Sequence, residues 1–269
     1  MSDIIRAGGP HAFGFTEITK RSGDMLMDFG VLRLRKGESF TETQPLEKAY
    51  LLVYGEVRFQ WDGESHTEYR ENCFDVPPTA LHVSKATQVT LTCLSDECEI
   101  NVLRTENERA FPAKLYLPKD TPDEFRGAGT MHETSTRIVR TIFDYRNAPY
   151  ANLVLGEVIG FPGKWSSYPP HHHPQPEVYF YRFDHPQGFG AGFANGEIYK
   201  TGHNGLSVIT SGFHSQTAAP GYAMCYAWGI RHLEGDPWKK TRIDDEEHAW
   251  LWKPDANEHI FKMEGEETK

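Results

Sequence analysis

The chain has 269 residues with a formal net charge of −10, 38% hydrophobic and 13% aromatic residues. That length holds one large domain or two of about 100–150 residues, with enough apolar content for a packed core. The acidic balance makes nucleic acid and anionic membrane surfaces poor partners, because both need clustered Lys and Arg, and an acidic substrate would need a local cation.

The N-terminus, Met1-Ser-Asp-Ile-Ile-Arg6, lacks the apolar core of a signal peptide, and no apolar run is long enough to span a bilayer. A soluble, cytoplasmic protein is expected. Short alternating segments follow: Val31 to Gly37, Ala49 to Gly63, Phe74 to Pro78, Gln88 to Cys93 and Glu99 to Leu103. They read as strands, with Asp62-Gly63 as a hairpin turn. Helical periodicity of useful length is absent. The polar, turn-rich stretch Tyr116 to Gly129 reads as a connection. A second series of strands begins at Arg137 and repeats the order of the first, with Gly163 in the place of Gly37. The charged tail, Glu264 to Lys269, is expected to fray. Cys73, Cys93, Cys98 and Cys225 form no Cys-x-x-Cys pair, which fits reduced thiols; the first three are expected to pack in the N-terminal half.

The second half carries Tyr168-Pro-Pro-His171-His172-His173-Pro-Gln-Pro-Glu177 and, later, Gly212-Phe213-His214. The prolines exclude a helix. In an extended segment His171 and His173 share one face and His172 takes the other. Glu177 opens an apolar, aromatic strand, and His214 follows a strand that ends in a turn. His-x-His, then Glu, then His at a glycine-punctuated strand end is the two-part signature of a cupin. His171, His173, Glu177 and His214 are therefore the expected ligands of one divalent ion, with zinc, manganese or iron(II) suited to imidazole and carboxylate. The stretch after Gly37 has no histidine. The first half is expected to bind no metal, and His82 to be packed or hydrogen-bonded.

The run Gly163-Lys-Trp165-Ser-Ser-Tyr168-Pro-Pro-His171-x-His173, with Glu177-x-Tyr-x-Tyr181-Arg182, resembles the 5-deoxy-glucuronate isomerases of myo-inositol catabolism. The resemblance continues through Pro186-Gln-Gly-Phe189, Ala219-Pro-Gly-Tyr222 and Glu247-His248-Ala-Trp250, and through Pro77-Pro-x-Ala80-Leu81 and Arg126-Gly-Ala-Gly129 in the first half. It implies an all-β bicupin: two packed jelly-roll barrels with few short helices, a degenerate domain over 1–125 and a metal-binding domain over 126–269. It also implies a metal-dependent aldose–ketose isomerase acting on 5-deoxy-glucuronate, zinc being the leading metal. The chain departs from the family at His172, where a Lys is usual, in its short Pro-Gln-Pro before Glu177, and at Thr210-Ser211 in place of a proline.

Such an isomerase moves a proton between neighbouring carbons, so a base is needed. Glu157, Tyr181 (or Tyr179) and His248 are the candidates. Glu157 stands in an apolar strand and faces either solvent or the barrel interior. Arg182 is the expected partner of the substrate carboxylate, ahead of Arg231 and Lys164. Trp165 and Tyr168 are expected to line the mouth. The expected partner is a small sugar acid, with the chain forming a homo-oligomer. The same ligands would also serve an iron(II) cupin dioxygenase or a non-catalytic sugar-acid-binding cupin.

Overall fold

Alternating segments joined by glycine and proline turns give an all-β protein. The computed structural model describes residues 5–6, 9–194 and 196–263; the 264–269 tail lies outside them. Helical structure among the described residues is limited to short 3-10 turns and one α-turn, Ala256–His259. No helix among them is long and apolar enough to cross a membrane.

In the first half the organising element is the 15-residue strand Glu47–Trp61. Its beginning pairs with Ala80–Val83 and Glu97–Thr105, its end with Glu64–Arg70 and Val89–Cys93. The strand changes layers where the register shifts between Leu52 and Tyr54. Gly55 lies there at φ +95°, and a Cβ would come 2.5 Å from the Glu97 carbonyl oxygen, so only glycine makes the bend. Asp62 and Gly63 both take positive φ and close the expected hairpin between Trp61 and Glu64. The two layers enclose a core that includes Leu32, Tyr50, Val57, Phe59, Leu81 and Ile100.

The second half repeats this plan. One sheet runs in the order Leu206–Ile209, Glu177–Phe183, Met224–Arg231, Leu153–Gly160, Arg137–Phe143, Glu124–Arg126. The strand Glu124–Arg126, which a division at 125/126 cuts, belongs to this sheet. The facing five-stranded layer holds Trp165–His172 and His214–Ala218 next to each other. Val154, Val158, Tyr179, Tyr181, Tyr226 and Trp228 fill the space between.

The two large sheets pack face to face. Every residue of Leu153–Gly160 is buried, because the strand is covered on both sides. Val154 and Val158 enter the second barrel, while Leu153 and Leu155 join Phe29, Leu51 and Leu103 of the first half in a shared core. Each such side chain contributes about 1.5–3 kcal/mol of burial. Cys93 and Cys98 lie in the first core, but Cys73 packs against Ile159 and Cys225 of the second half, contrary to the expectation for that thiol.

Candidate metal centre

A strand alternates sides, so Ser166 and His171, five apart, would ordinarily face opposite ways. Ser166 is buried and shares a hydrogen bond of 2.5 Å with the Tyr226 hydroxyl inside the barrel. The ladder makes His171 face inward as well. Ser166 pairs with Gln216 and His171 with His214, so five steps on one strand oppose two on the other. Three extra residues are an odd number and invert the phase. His171 and His173 then look into the barrel. His172 faces out, against the Phe213 ring at 4.9 Å.

The ligand atoms of His171, His173 and His214 all lie within 4.8 Å of one another, the only such cluster among the described residues. Each imidazole turns Nδ1 toward a backbone carbonyl: Ser167 at 3.3 Å, Gln175 at 2.9 Å and Gly212 at 3.5 Å. A carbonyl only accepts, so Nδ1 carries the proton and Nε2 is left with its lone pair. Nε2 of His173 and of His214 lie 3.2 and 3.4 Å from Glu177 Oε2. Nε2 of His214 is buried and has no hydrogen-bond partner among the described residues. Lone pairs and a carboxylate brought this close call for a cation between them, and the donor set fits a divalent metal. Burial alone would push the Glu177 carboxyl up; without an ion, His173 and His214 rings protonated at Nε2 as well would donate to it, and their hydrogen bonds and charge bring it down to about 2, so Glu177 stays ionised. Burial, with the neighbouring His214, Arg242 and His173, holds His171 well below the usual imidazole range. The Tyr179 hydroxyl donates to Glu177 Oε2 at 2.8 Å, and burial beside that carboxylate raises its pKa well above a normal phenol's.

These groups open on a cavity of about 160 Å³, whose apolar walls include Val139, Val158, Trp228, Ile230 and Trp238. Arg137 and Arg242 also line it. The sequence reading singled out neither. Arg137 stands in a segment, Arg-Ile-Val-Arg-Thr-Ile-Phe, whose alternation marks no inner face, and Arg242 arrives on the C-terminal segment that adds Ile243–Asp244 beside His171 and His172.

The other candidates lie elsewhere. Glu157 faces neither solvent nor the barrel interior: it sits on the sheet-facing side with Leu153 and Leu155, held by Arg70 Nη1 and Nη2 at 2.8 and 2.7 Å. Arg182 is five residues from Glu177 on one regular strand and so takes the opposite face. It donates to Glu99 Oε1 at 3.2 Å and bonds Asn204, away from the imidazoles. Tyr181 faces inward but deeper, its hydroxyl held between Ser207 Oγ at 2.8 Å and Gln216 Oε1 at 2.7 Å. Trp165, Tyr168 and His248 form a separate aromatic group, with Tyr168 centroids 5.1 and 6.4 Å from the other two. Arg231 Nε donates to Thr105 and Lys164 Nζ to Thr136.

The first half shows what fills the equivalent place. Glu42 pairs with Val89 as His171 pairs with His214. Lys48, between Val83 and Arg104, stands where Glu177 stands between Ile209 and Ile230. Lys48 Nζ donates to the Gln44 and Thr87 carbonyls, and Arg104 pairs with Glu42. Side-chain cations occupy that position. His82 is buried outside the first barrel, with Nε2 2.9 Å from Glu47 Oε1 and its ring stacked on Phe143.

Strand order and paired cores define an all-β protein of the cupin class, with one imidazole cluster able to hold a metal. The KduI/IolB family matches residues 10–251, and the chain belongs to that family. It is 27% identical over 256 residues to a 5-deoxy-glucuronate isomerase of Bacillus subtilis, covering 87% of this chain and 91% of that one. An IolB-like protein from Salmonella typhimurium has a similar structure, with a TM-score of 0.80 at 22% identity over 92% of this chain and 98% of the other. A cupin 2 conserved barrel domain protein from Leptotrichia buccalis matches with a TM-score of 0.50 at 12% identity, covering 81% and 88% of the two chains. Family and named relatives make the protein an isomerase.

Proposed function

We propose that the protein converts 5-deoxy-glucuronate to 2-deoxy-5-keto-gluconate in myo-inositol catabolism, using one divalent ion, zinc by preference, held by His171, His173, Glu177 and His214. The observation that carries this reading is the set of imidazoles with Nδ1 engaged by carbonyls and Nε2 turned toward one carboxylate. A bound ion supplies Lewis-acid polarisation of a carbonyl. The residues around it do the rest. The cavity's apolar walls lower the local dielectric and so strengthen the charge interactions inside. Tyr179 keeps a proton at Oη beside Glu177 and is the proton carrier nearest the ligand set, a place neither Glu157 nor Tyr181 takes. The cavity is smaller than the ~300–1,000 Å³ typical for drug-sized ligands, which suits a single small sugar acid.

The test is an isomerase assay on purified protein with metal analysis. The expected result is one divalent ion per chain and turnover of 5-deoxy-glucuronate, with ion and turnover both lost in His171→Ala and His214→Ala and both kept in His172→Ala. Full metal occupancy in either of the first two variants overturns the ligand assignment. A metal-filled parent protein with no isomerase turnover overturns the activity.

A further inference from the structure

A uronate isomerase must hold a carboxylate, and Arg182 is turned away from the cavity. Two guanidinium groups do reach it. Arg242 is already engaged: Nε pairs with Asp244, Nη2 donates to the Pro169 carbonyl, and the group lies 5.5 Å over the Trp252 ring. Arg137 is different. It shares the inner face of its strand with Val139, while Ile138 and Arg140 point to the other side, where Arg140 binds Asp123 and the Cys73 carbonyl. The Arg137 guanidinium donates one hydrogen bond, Nη1 to the Ser135 carbonyl at 2.8 Å. No carboxylate among the described residues lies within ion-pair distance of it. The other deeply placed arginines are matched: Arg70 by Glu157, Arg104 by Glu42, Arg140 by Asp123. A guanidinium set among apolar walls, with donors unspent, is a site for an anion brought by the ligand.

We infer that Arg137 binds the carboxylate of the substrate, in the same cavity as the imidazole cluster, and so selects sugar acids over neutral sugars. This rests on the isomerase reading above. Nε and Nη2, or the two Nη atoms, present the parallel donors that a carboxylate accepts in bidentate fashion. Anchoring the acid end leaves the carbonyl end of a six-carbon chain free to reach the ligand set. Glu177 and Tyr179, on the adjoining wall, take no part in holding the carboxylate, since a carboxylate beside Glu177 would be repelled.

The experiment compares the parent protein, Arg137→Met, Arg137→Lys and Arg182→Leu, all metal-loaded. Turnover of 5-deoxy-glucuronate is measured beside that of the corresponding neutral 5-deoxyaldose. Binding of glucuronate and of glucose is followed by calorimetry. Arg137→Met should lower kcat/KM on the acid by at least about tenfold, the loss expected for a charged hydrogen bond, while the neutral sugar changes little. Arg137→Lys should restore part of the preference, because the charge returns without the fork. Arg182→Leu should keep the preference. Metal content and the thermal midpoint serve as folding controls. An Arg137→Met protein that folds, holds its metal and still prefers acid over neutral sugar overturns the inference. If the parent protein binds glucuronate through Arg137 but isomerises nothing, the isomerase reading falls and the carboxylate site stands.

Discussion

Arg182 Nη1 donates to Glu99 Oε1, and the group lies 5.5 Å over the Tyr54 ring, so this arginine is part of the contact between the two halves. Glu99 is 2% exposed; burial pushes its carboxyl up, and Arg182 is the first group that counters this. His11 and then Arg33, the latter at 3.9 Å, also counter it. Arg182→Leu therefore leaves a buried carboxylate with a weaker partner. The expected outcome is a loss of about 1–3 kcal/mol in urea unfolding, with turnover per folded molecule unchanged. Normal stability with lost turnover would return Arg182 to the site. The chain alone already excludes Arg182 from the barrel beside Glu177. Glu177 and Arg182 are an odd number of positions apart in one strand, so they cannot both face the barrel. Arg137 was not legible in this way, because its segment has charged and apolar residues on both faces, and only the neighbouring strands decide which face is inner.

At the level of the strand, the site depends on parity. The three unmatched residues between Ser166 and His171 set His171 and His173 inward, opposite His214. Ser167 lies among them at φ +54°. Inserting one glycine between Ser167 and Tyr168 makes the excess even, and both histidines should turn outward with the rest of the ladder intact. Inserting two restores the odd excess. Metal analysis should show the ion lost from the one-residue insertion and regained, at least in part, in the two-residue insertion. Equal metal content in both would mean that the segment adapts locally and that parity is not what orients the ligands. His-x-His was readable because period 2 is a property of any extended chain. The irregularity that gives it its phase was not, since it exists only relative to the partner strand His214–Ala218.

Across the whole molecule, the halves are joined by apolar packing and by the pair Arg70–Glu157, whose side chains are 1% and 3% exposed. Arg70 also donates to the Leu52 and Val76 carbonyls, which satisfies its remaining protons. Removing one partner strands a charge in a dry interior. Arg70→Met should cost about 3–5 kcal/mol in denaturant unfolding, whereas Arg70→Met with Glu157→Leu should recover much of that, because the desolvation penalty goes with the pair. A double variant no more stable than Arg70→Met alone would show that the pair contributes net stability over its apolar replacement. Neither change should alter metal content, since Glu157 is on the far face of its strand from the imidazoles.

The chain by itself determined an all-β protein, from its short alternating segments, and a candidate ligand set of His171, His173, Glu177 and His214, from residue type and spacing. Both rest on local geometry: the two-residue repeat of extended backbone and the turns that glycine and proline impose. The tertiary structure decided what covers each face. It put Glu157 and Arg182 against the other half, brought Cys73 to Cys225, and left Arg137 inside the second barrel with no carboxylate partner among the described residues. A strand's alternation gives two faces but does not say which is core, interface or cavity; that is fixed only when a second sheet arrives to bury one of them.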